Sequence, residues 1–171
     1  MAELLTLAVG SVGVGVLANC ITSITASANG IYTLVGNISS STPTPDIHEF
    51  LIKSNIVSKV KLLECLVRET DTKSNPTKTL KEAIKSVQNS LAQIEAALNE
   101  VKRRIDHNKS LYVFVYFRSY GFTDIIQKLM ILKEPLNEQY QDLRGIIAIN
   151  QYLNPMSESV YVGSTEIFNM N

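Results

Sequence analysis

The chain of 171 residues carries sixteen basic and sixteen acidic side chains, so its formal net charge at pH 7 is zero. This balance argues against a nucleic-acid partner, because proteins that bind phosphate backbones usually show a clear excess of positive charge. The two cysteines, Cys20 and Cys65, are too few for a disulfide framework. We interpret them as two buried free thiols of an intracellular protein in a reducing compartment.

The first part of the chain is uncharged from residue 4 to residue 45. Residues 4–18 are apolar except for Thr6 and Ser11, and they include three glycines. A signal peptide would need a positive region before them, and a membrane span needs about 20 strongly apolar residues. We therefore expect an apolar, glycine-rich arm over residues 1–18 that packs in the core, contacts another subunit or enters lipid. The candidate membrane or partner segment consists of Leu4, Leu5, Leu7, Val9, Gly10, Val12, Gly13, Val14, Gly15, Val16 and Leu17.

The first amphipathic helix is predicted over residues 19–37. Its apolar positions, Ile21, Ile24, Ala28, Ile31 and Val35, recur at steps of three and four. Uncharged polar residues lie between them. A helix with an uncharged polar face is usually half covered by another protein surface.

The second helix is predicted to begin at a capping box of Asp46 and Glu49 and to run to Arg68, after a loop over residues 39–45. We interpret Glu64, Arg68 and Glu69 as part of its solvated face. Its apolar positions are Ile47, Phe50, Leu51, Ile56, Val60, Leu63 and Val67.

The third helix has the most regular pattern in the chain, and a capping box of Thr79 and Glu82 is predicted to open it. Eight apolar residues recur at alternating steps of four and three, which keeps one stripe of a long helix buried. The eight are Leu80, Ile84, Val87, Leu91, Ile94, Leu98, Val101 and Ile105. One flank of this stripe is mostly small, which favours an intramolecular bundle over a two-stranded coiled coil. The flank is formed by Ala83, Ser90, Ala97 and Arg104.

Residues 111–117 suit either a strand or a short buried helix. A helix capped by Thr123 follows, Pro135 is expected to kink or restart it, and the apolar stripe continues to about Leu153. We therefore predict an all-α bundle of four to five helices over residues 1–153. Residues 154–171 are predicted to form an irregular, extended tail, with docking of residues 160–162 as a strand as one interpretation.

No catalytic, cofactor-binding or metal site is predicted. His48 and His107 lie on different helices without ligand spacing, and the glycines between residues 10 and 15 lack the lysine of a phosphate loop. Lys102, Arg103 and Arg104 lie near a helix C-terminus, where the helix dipole favours cations. A local anion patch made by these three side chains with Lys109 and Arg118 is the less favoured interpretation. We expect no enzyme activity.

Two resemblances follow from this layout. An uncharged helix rich in Gly, Ser and Thr, placed ahead of amphipathic helices over about residues 1–150, resembles the HeLo-type bundles of fungal and plant cell-death proteins. That resemblance implies a membrane-acting bundle whose N-terminal helix inserts into lipid. Residues 29–34, 46–51 and 107–119 are similar in texture to small helical proteins of large DNA viruses. That resemblance implies a virion or host-interaction component without catalysis.

The function predicted from the sequence is therefore that of a non-enzymatic structural or protein-interaction bundle, with a minor, capsid-associated virion component as the specific form. The expected partners are other subunits in a homo- or hetero-oligomer, without nucleic acid. The alternative is membrane association through residues 4–17.

Overall fold

The computed structural model describes residues 3–41, 44–70, 76–111 and 121–153; within these ranges, the side chains of residues 3–14, 16, 151 and 153 are not described. The described residues form an all-α bundle, as predicted, and contain no strand. The predictions for residues 112–117 and 154–171 lie outside the described residues. The helices are α1 (Glu3–Ser40), α2 (Pro45–Ser54), α3 (Ile56–Arg68), α4 (Lys78–Ser110), α5 (Thr123–Lys133) and α6 (Pro135–Leu153).

Helix α4 contacts four other helices of the bundle, which are α1, α3, α5 and α6. All eight residues of its predicted stripe are buried, which confirms the prediction. The small flank of the stripe is partly covered. Ala97 is buried, and the Oγ of Ser90 accepts a hydrogen bond of 2.8 Å from Nε2 of Gln139 on α6.

Helices α1 and α4 run parallel to each other. Nε2 of Gln88 donates a hydrogen bond of 3.0 Å to Oγ of Ser23. Seven residues further along both helices, Gly30 lies against the carboxyl group of Glu95. Because the two pairs share one offset, each α1 residue has a defined level on α4. By this register, Gly13 is level with Lys78, the first residue of α4.

Helices α5 and α6 run antiparallel to α4 along one line. Nη1 of Arg104 lies 2.6 Å from Oδ1 of Asp124 at the start of α5. Near the other end, the backbone N–H of Thr77 donates a hydrogen bond of 3.4 Å to Oδ1 of Asn150. The predicted interruption occurs at Pro135, which begins α6. A single residue, Glu134, separates it from the end of α5. The proline therefore restarts the helix without changing its partner.

The helices form four columns around the core: α1, α2 with α3, α4, and α5 with α6. Helix α3 is antiparallel to α1, because Tyr32 is bonded to Glu64 whereas the earlier Thr25 is bonded to the later Arg68. Helix α3 contacts α6, and α2 contacts α5. Because α1 and α4 are parallel, while α3 is antiparallel to α1 and α6 is antiparallel to α4, α3 runs parallel to α6. The ring order is therefore α1, α2–α3, α5–α6, α4. Two parallel pairs of columns are neighbours, which a simple up-and-down bundle does not have.

The predicted capping boxes are wrong. Thr44 precedes α2, and Pro45 occupies its first position, where a missing N–H and a fixed φ are favourable. Thr77, rather than Thr79, caps α4, and its Oγ1 accepts a hydrogen bond of 3.3 Å from the backbone N–H of Leu80. Thr123 is the first residue of α5 and not its cap. Asp46 lies inside the first turn of α2, where its negative charge complements the helix dipole.

The predicted second helix is broken at Asn55. This residue has φ of 52°, a left-handed conformation that asparagine tolerates better than most residues. The apolar pattern contains the same break, because Leu51 and Ile56 are separated by five residues and not by three or four. The single predicted helix therefore becomes α2 and α3, and α3 ends at Arg68 as expected.

Helix α1 is longer than the first amphipathic helix that the sequence predicts. Its backbone is helical from Glu3 to Ser40, so the predicted arm and the predicted helix over residues 19–37 form one continuous element. A helix of this length extends for about 57 Å at 1.5 Å per residue.

Candidate functional site

The candidate site is the N-terminal part of α1, which continues past the start of α4. Gly13 of α1 is level with Lys78, so residues 3–12 extend beyond α4 by about 15 Å. Helix α3 ends even earlier beside α1, since Nε of Arg68 lies 3.5 Å from Oγ1 of Thr25. Among the described elements, the two helices with the most contacts to α1, which are α4 and α3, do not extend along these first turns.

Two of the predicted segment residues have side-chain surroundings that the structure describes. Leu17 is 1% exposed and belongs to the core cluster. Gly15 is exposed, and an added Cβ would meet no atom within 4 Å. Leu17, which the sequence analysis assigns to the candidate segment, therefore lies in the core of the bundle, whereas Gly15 faces open space. The other nine predicted residues belong to the helical backbone of α1, and the structure does not describe their side chains.

A polar cluster ties α1 to α3 further along the helix. Oη of Tyr32 donates a hydrogen bond of 2.9 Å to Oε2 of Glu64. Glu64 is 8% exposed, and its Oε1 lies 3.1 Å from Nη2 of Arg68. Burial, together with the neighbouring Glu64 carboxylate, raises the pKa of Tyr32 well above its usual value. The prediction that Glu64 belongs to a solvated face is wrong, because the uncharged α1 covers it.

The basic residues near the end of α4 are engaged within the protein. Arg104 contacts Glu100 at 2.8 Å and Asp124 at 2.6 Å, and it also donates to the backbone O of Gly121 at 2.9 Å. The hydrogen bonds from Arg103 and Arg104 lower the pKa of Glu100 to about 2. The hydrogen bond from Arg104 lowers the pKa of Asp124 to about 2.

Lys102 forms an ion pair with Asp106 on the same helix. Lys102 and Arg103 thus pair with acidic residues of α4 itself, and Arg104 also joins α4 to α5, which disfavours the interpretation of this region as an anion-binding patch. Arg118 lies outside the described residues.

The remaining side chains that could bind a metal ion or react are scattered over the bundle. In the described ranges, no group of three or more His, Cys, Asp or Glu side chains could hold a metal ion. Cys20 and Cys65 are free thiols, but Cys20 is only half-buried and Cys65 is exposed, so the prediction that both are buried is wrong. The described residues line at least two open grooves. One of about 230 Å³ lies between α4 and α6, and one of about 460 Å³ lies between α2 and α5.

In the part of the chain whose side chains the structure describes, no helix is both long enough and apolar enough to cross a membrane.

Comparisons with models of known protein families, with characterised protein sequences and with solved structures found no match to this chain. The functional argument therefore depends on the geometry of the bundle and on the composition of α1.

Proposed function

We propose that this protein is a non-enzymatic structural bundle that attaches to a partner protein through the first turns of α1. The observation that carries the proposal is the parallel register of α1 and α4. This register leaves residues 3–12 beyond the start of α4, while Leu17 is held in the core. A helix end that is apolar and carries no charge over residues 4–12, and that is continuous with a packed body, is suited to insertion into a hydrophobic groove of another protein.

The composition of the segment supports this proposal. Leu4, Leu5, Leu7, Val9 and Val12 occur too closely spaced to share a single face of a helix. A helix that is apolar on several faces is normally surrounded by other protein or by lipid. A larger assembly would provide such surroundings, and the similarity in texture to proteins of large DNA viruses makes a virion our specific candidate for that assembly.

A matched pair of charge insertions in the full-length chain tests the attachment. Gly13→Glu places a carboxylate in the candidate segment. Gly36→Glu places the same group on α1 within the bundle, where a new Cβ meets no atom within 4 Å. We expect the wild type and the Gly36→Glu variant to retain the same stoichiometric partner in crosslinking and affinity capture, and Gly13→Glu to lose it. Equal recovery of that partner by all three proteins would refute attachment through this segment.

The second candidate is a membrane-acting bundle in which the same turns enter lipid. The absence of charge from residue 4 to residue 45 favours it, because charged side chains are costly in a bilayer. Flotation with vesicles of phosphatidylcholine and phosphatidylserine distinguishes the two proposals. If the wild type and Gly36→Glu float and Gly13→Glu does not, the partner is lipid and the protein-partner proposal is wrong. If none of the three floats, the lipid proposal is wrong.

A further inference from the structure

The first turns of α4 carry three lysines on one side of the helix. Lys78, Lys81 and Lys85 follow one another at steps of three and four, so they lie along one face of α4 over about 10 Å. We call these three residues the lysine strip. Lys78 and Lys85 are exposed and Lys81 is half-buried, so the strip is accessible to a partner along its length.

The lysine strip borders α1. Lys81 lies seven residues before Gln88, whose side chain bonds to Ser23 of α1, so Lys81 and Gln88 lie on the same flank of α4. By the register between the two helices, Lys78 is level with Gly13, where α1 begins to extend beyond α4. The strip therefore starts at the base of the candidate segment and continues back along the edge between α1 and α4.

The described residues supply no counter-charge to the lysine strip. None of its three ammonium groups forms an ion pair with a described residue, and the ion pairs of the described chain involve other basic side chains. Glu82 lies on the same turns of α4, but it lines the groove on the side toward α6. The residues of α1 at the same levels carry no charge.

The position of the lysines is unfavourable for α4 itself. The first turn of α4 contains no acidic residue, and positive side chains near a helix N-terminus oppose the helix dipole. Like charges at steps of three and four also repel each other. Helices α2 and α5 instead carry Asp46 and Asp124 in their first turns. Lysines that disfavour their own helix and pair with no described residue indicate a contact with another molecule.

The neighbouring face of α1 allows that molecule to approach closely. Gly15, Ala18, Asn19 and Thr22 are exposed at these levels, and none of them is charged or larger than asparagine. Oγ1 of Thr22 donates a hydrogen bond of 3.0 Å to the backbone O of Ala18, so this hydroxyl group keeps a partner when the surface is covered. The edge therefore combines an uncharged surface on α1 with a positive surface on α4.

We propose that the protein partner that receives the end of α1 also contacts the lysine strip, through a row of acidic side chains. This inference rests on the proposed attachment through α1 and adds the chemistry of the partner's surface. The strip extends parallel to α1 for about 10 Å, whereas each headgroup layer of a bilayer is about 5–8 Å thick. A bilayer that α1 entered along its axis would not hold Lys78 and Lys85 in one headgroup layer. A protein surface alongside α1 reaches all three lysines.

Two labelled peptides of about three helical turns test the charge preference on the full-length protein. Both carry the same leucine face; one has Glu at three positions with the spacing of the lysine strip, and the other has Gln there. By fluorescence anisotropy at low ionic strength, we expect the Glu peptide to bind about fivefold more tightly, because three exposed ion pairs each contribute modestly. The difference should decrease as salt is added.

Substitutions in the lysine strip test the location of this preference. Replacement of all three lysines by glutamine should abolish the preference for the Glu peptide, and replacement by arginine should retain it. The glutamine variant should have a Tm equal to or above that of the wild type, because no ion pair with a described residue is lost and the helix dipole is no longer opposed. A lower Tm would show that the lysines stabilise the fold and would overturn the proposal.

A matched control changes the net charge by the same amount elsewhere. It replaces three lysines of α3 and α5 that also form no ion pair with a described residue, by the substitutions Lys59→Gln, Lys61→Gln and Lys128→Gln. This control variant should keep the full preference for the Glu peptide. Circular dichroism establishes that each variant is folded.

Several outcomes would contradict the inference. They are equal binding of the two peptides, binding of neither, and equal loss of the preference in the strip variant and its control. Flotation with vesicles of phosphatidylcholine and phosphatidylserine that the strip variant loses and the control keeps would assign the strip to lipid headgroups instead. Attachment through α1 fails if Gly13→Glu keeps its partner, whereas this inference fails on the peptide preference, so the two failures are distinct.

Discussion

Gly30 of α1 lies so close to Glu95 of α4 that a Cβ on the glycine would lie 2.1 Å from Oε1 of the glutamate. The contact is with the end of a flexible side chain, which can turn away. Gly36, six residues later, has open space at the same atom. A methyl group at Gly30 would therefore displace a neighbouring side chain, whereas a methyl group at Gly36 would displace nothing.

Replacement of these glycines should stabilise the protein to different extents. Gly36→Ala should raise the free energy of unfolding by up to about 1 kcal/mol, because alanine is the better helix former and displaces nothing. Gly30→Ala should give a smaller gain, because Glu95 must leave its position. Urea denaturation followed by circular dichroism measures both values. A larger gain for Gly30→Ala would contradict the close packing of α1 on α4.

Removal of the Tyr32 hydroxyl should destabilise the contact between α1 and α3. Tyr32→Phe leaves the buried Glu64 carboxylate without one of its two partners, at a cost of about 1–2 kcal/mol in unfolding free energy. The pKa of Tyr32 is raised in the folded state, so the folded protein keeps this proton more strongly than the unfolded chain does. The stability that it contributes is complete below pH about 10 and decreases at higher pH.

The comparison of wild type and Tyr32→Phe across alkaline pH isolates this residue from the other tyrosines. The stability difference between the two proteins should shrink above pH about 10. A difference that stays constant to pH 11 would show that the raised pKa does not contribute to folding.

Acid should weaken the contact between α4 and α5. The pKa values of Glu100 and Asp124 are both lowered to about 2 in the folded protein, whereas unfolded carboxyl groups titrate near pH 4. Their contribution to stability is therefore complete above pH about 4 and is lost as the pH falls toward 2. Arg104→Met removes the guanidinium group that pairs with both carboxylates, and it puts a long apolar side chain in its place. Its Tm should decrease less than that of the wild type between pH 5 and pH 2.5.

Truncation of Leu17 should show where the bundle begins. Leu17→Ala removes a fully buried side chain and should cost about 2–5 kcal/mol. Ile131→Ala is the control, because Ile131 is 72% exposed and its truncation should change stability by less than about 0.5 kcal/mol. If Leu17→Ala behaves like the control, residue 17 belongs to the candidate segment and not to the core.

The apolar periodicity was sufficient to predict the all-α class, the buried face of α4 and the restart at Pro135, because each depends only on local spacing. The cap positions of α2 and α4 were missed because Thr44 and Thr77 each lie two residues before another acceptable capping residue, Asp46 and Thr79. The pairing of Tyr32 with Glu64 joins two helices whose adjacency no local pattern encodes. The overhang of α1 was unpredictable for the same reason, since it follows from the register between α1 and α4.

The parallel pairing of α1 with α4 also affects the order of events during synthesis. At 5–20 residues per second, α4 leaves the ribosome about 3–13 s after the part of α1 on which it will pack. During that interval, the segment that forms α1 is present without α4, its principal partner. This segment carries no charge after Glu3. Whatever binds the end of α1 could therefore engage the nascent chain first, so that attachment and folding are coupled in time and not sequential.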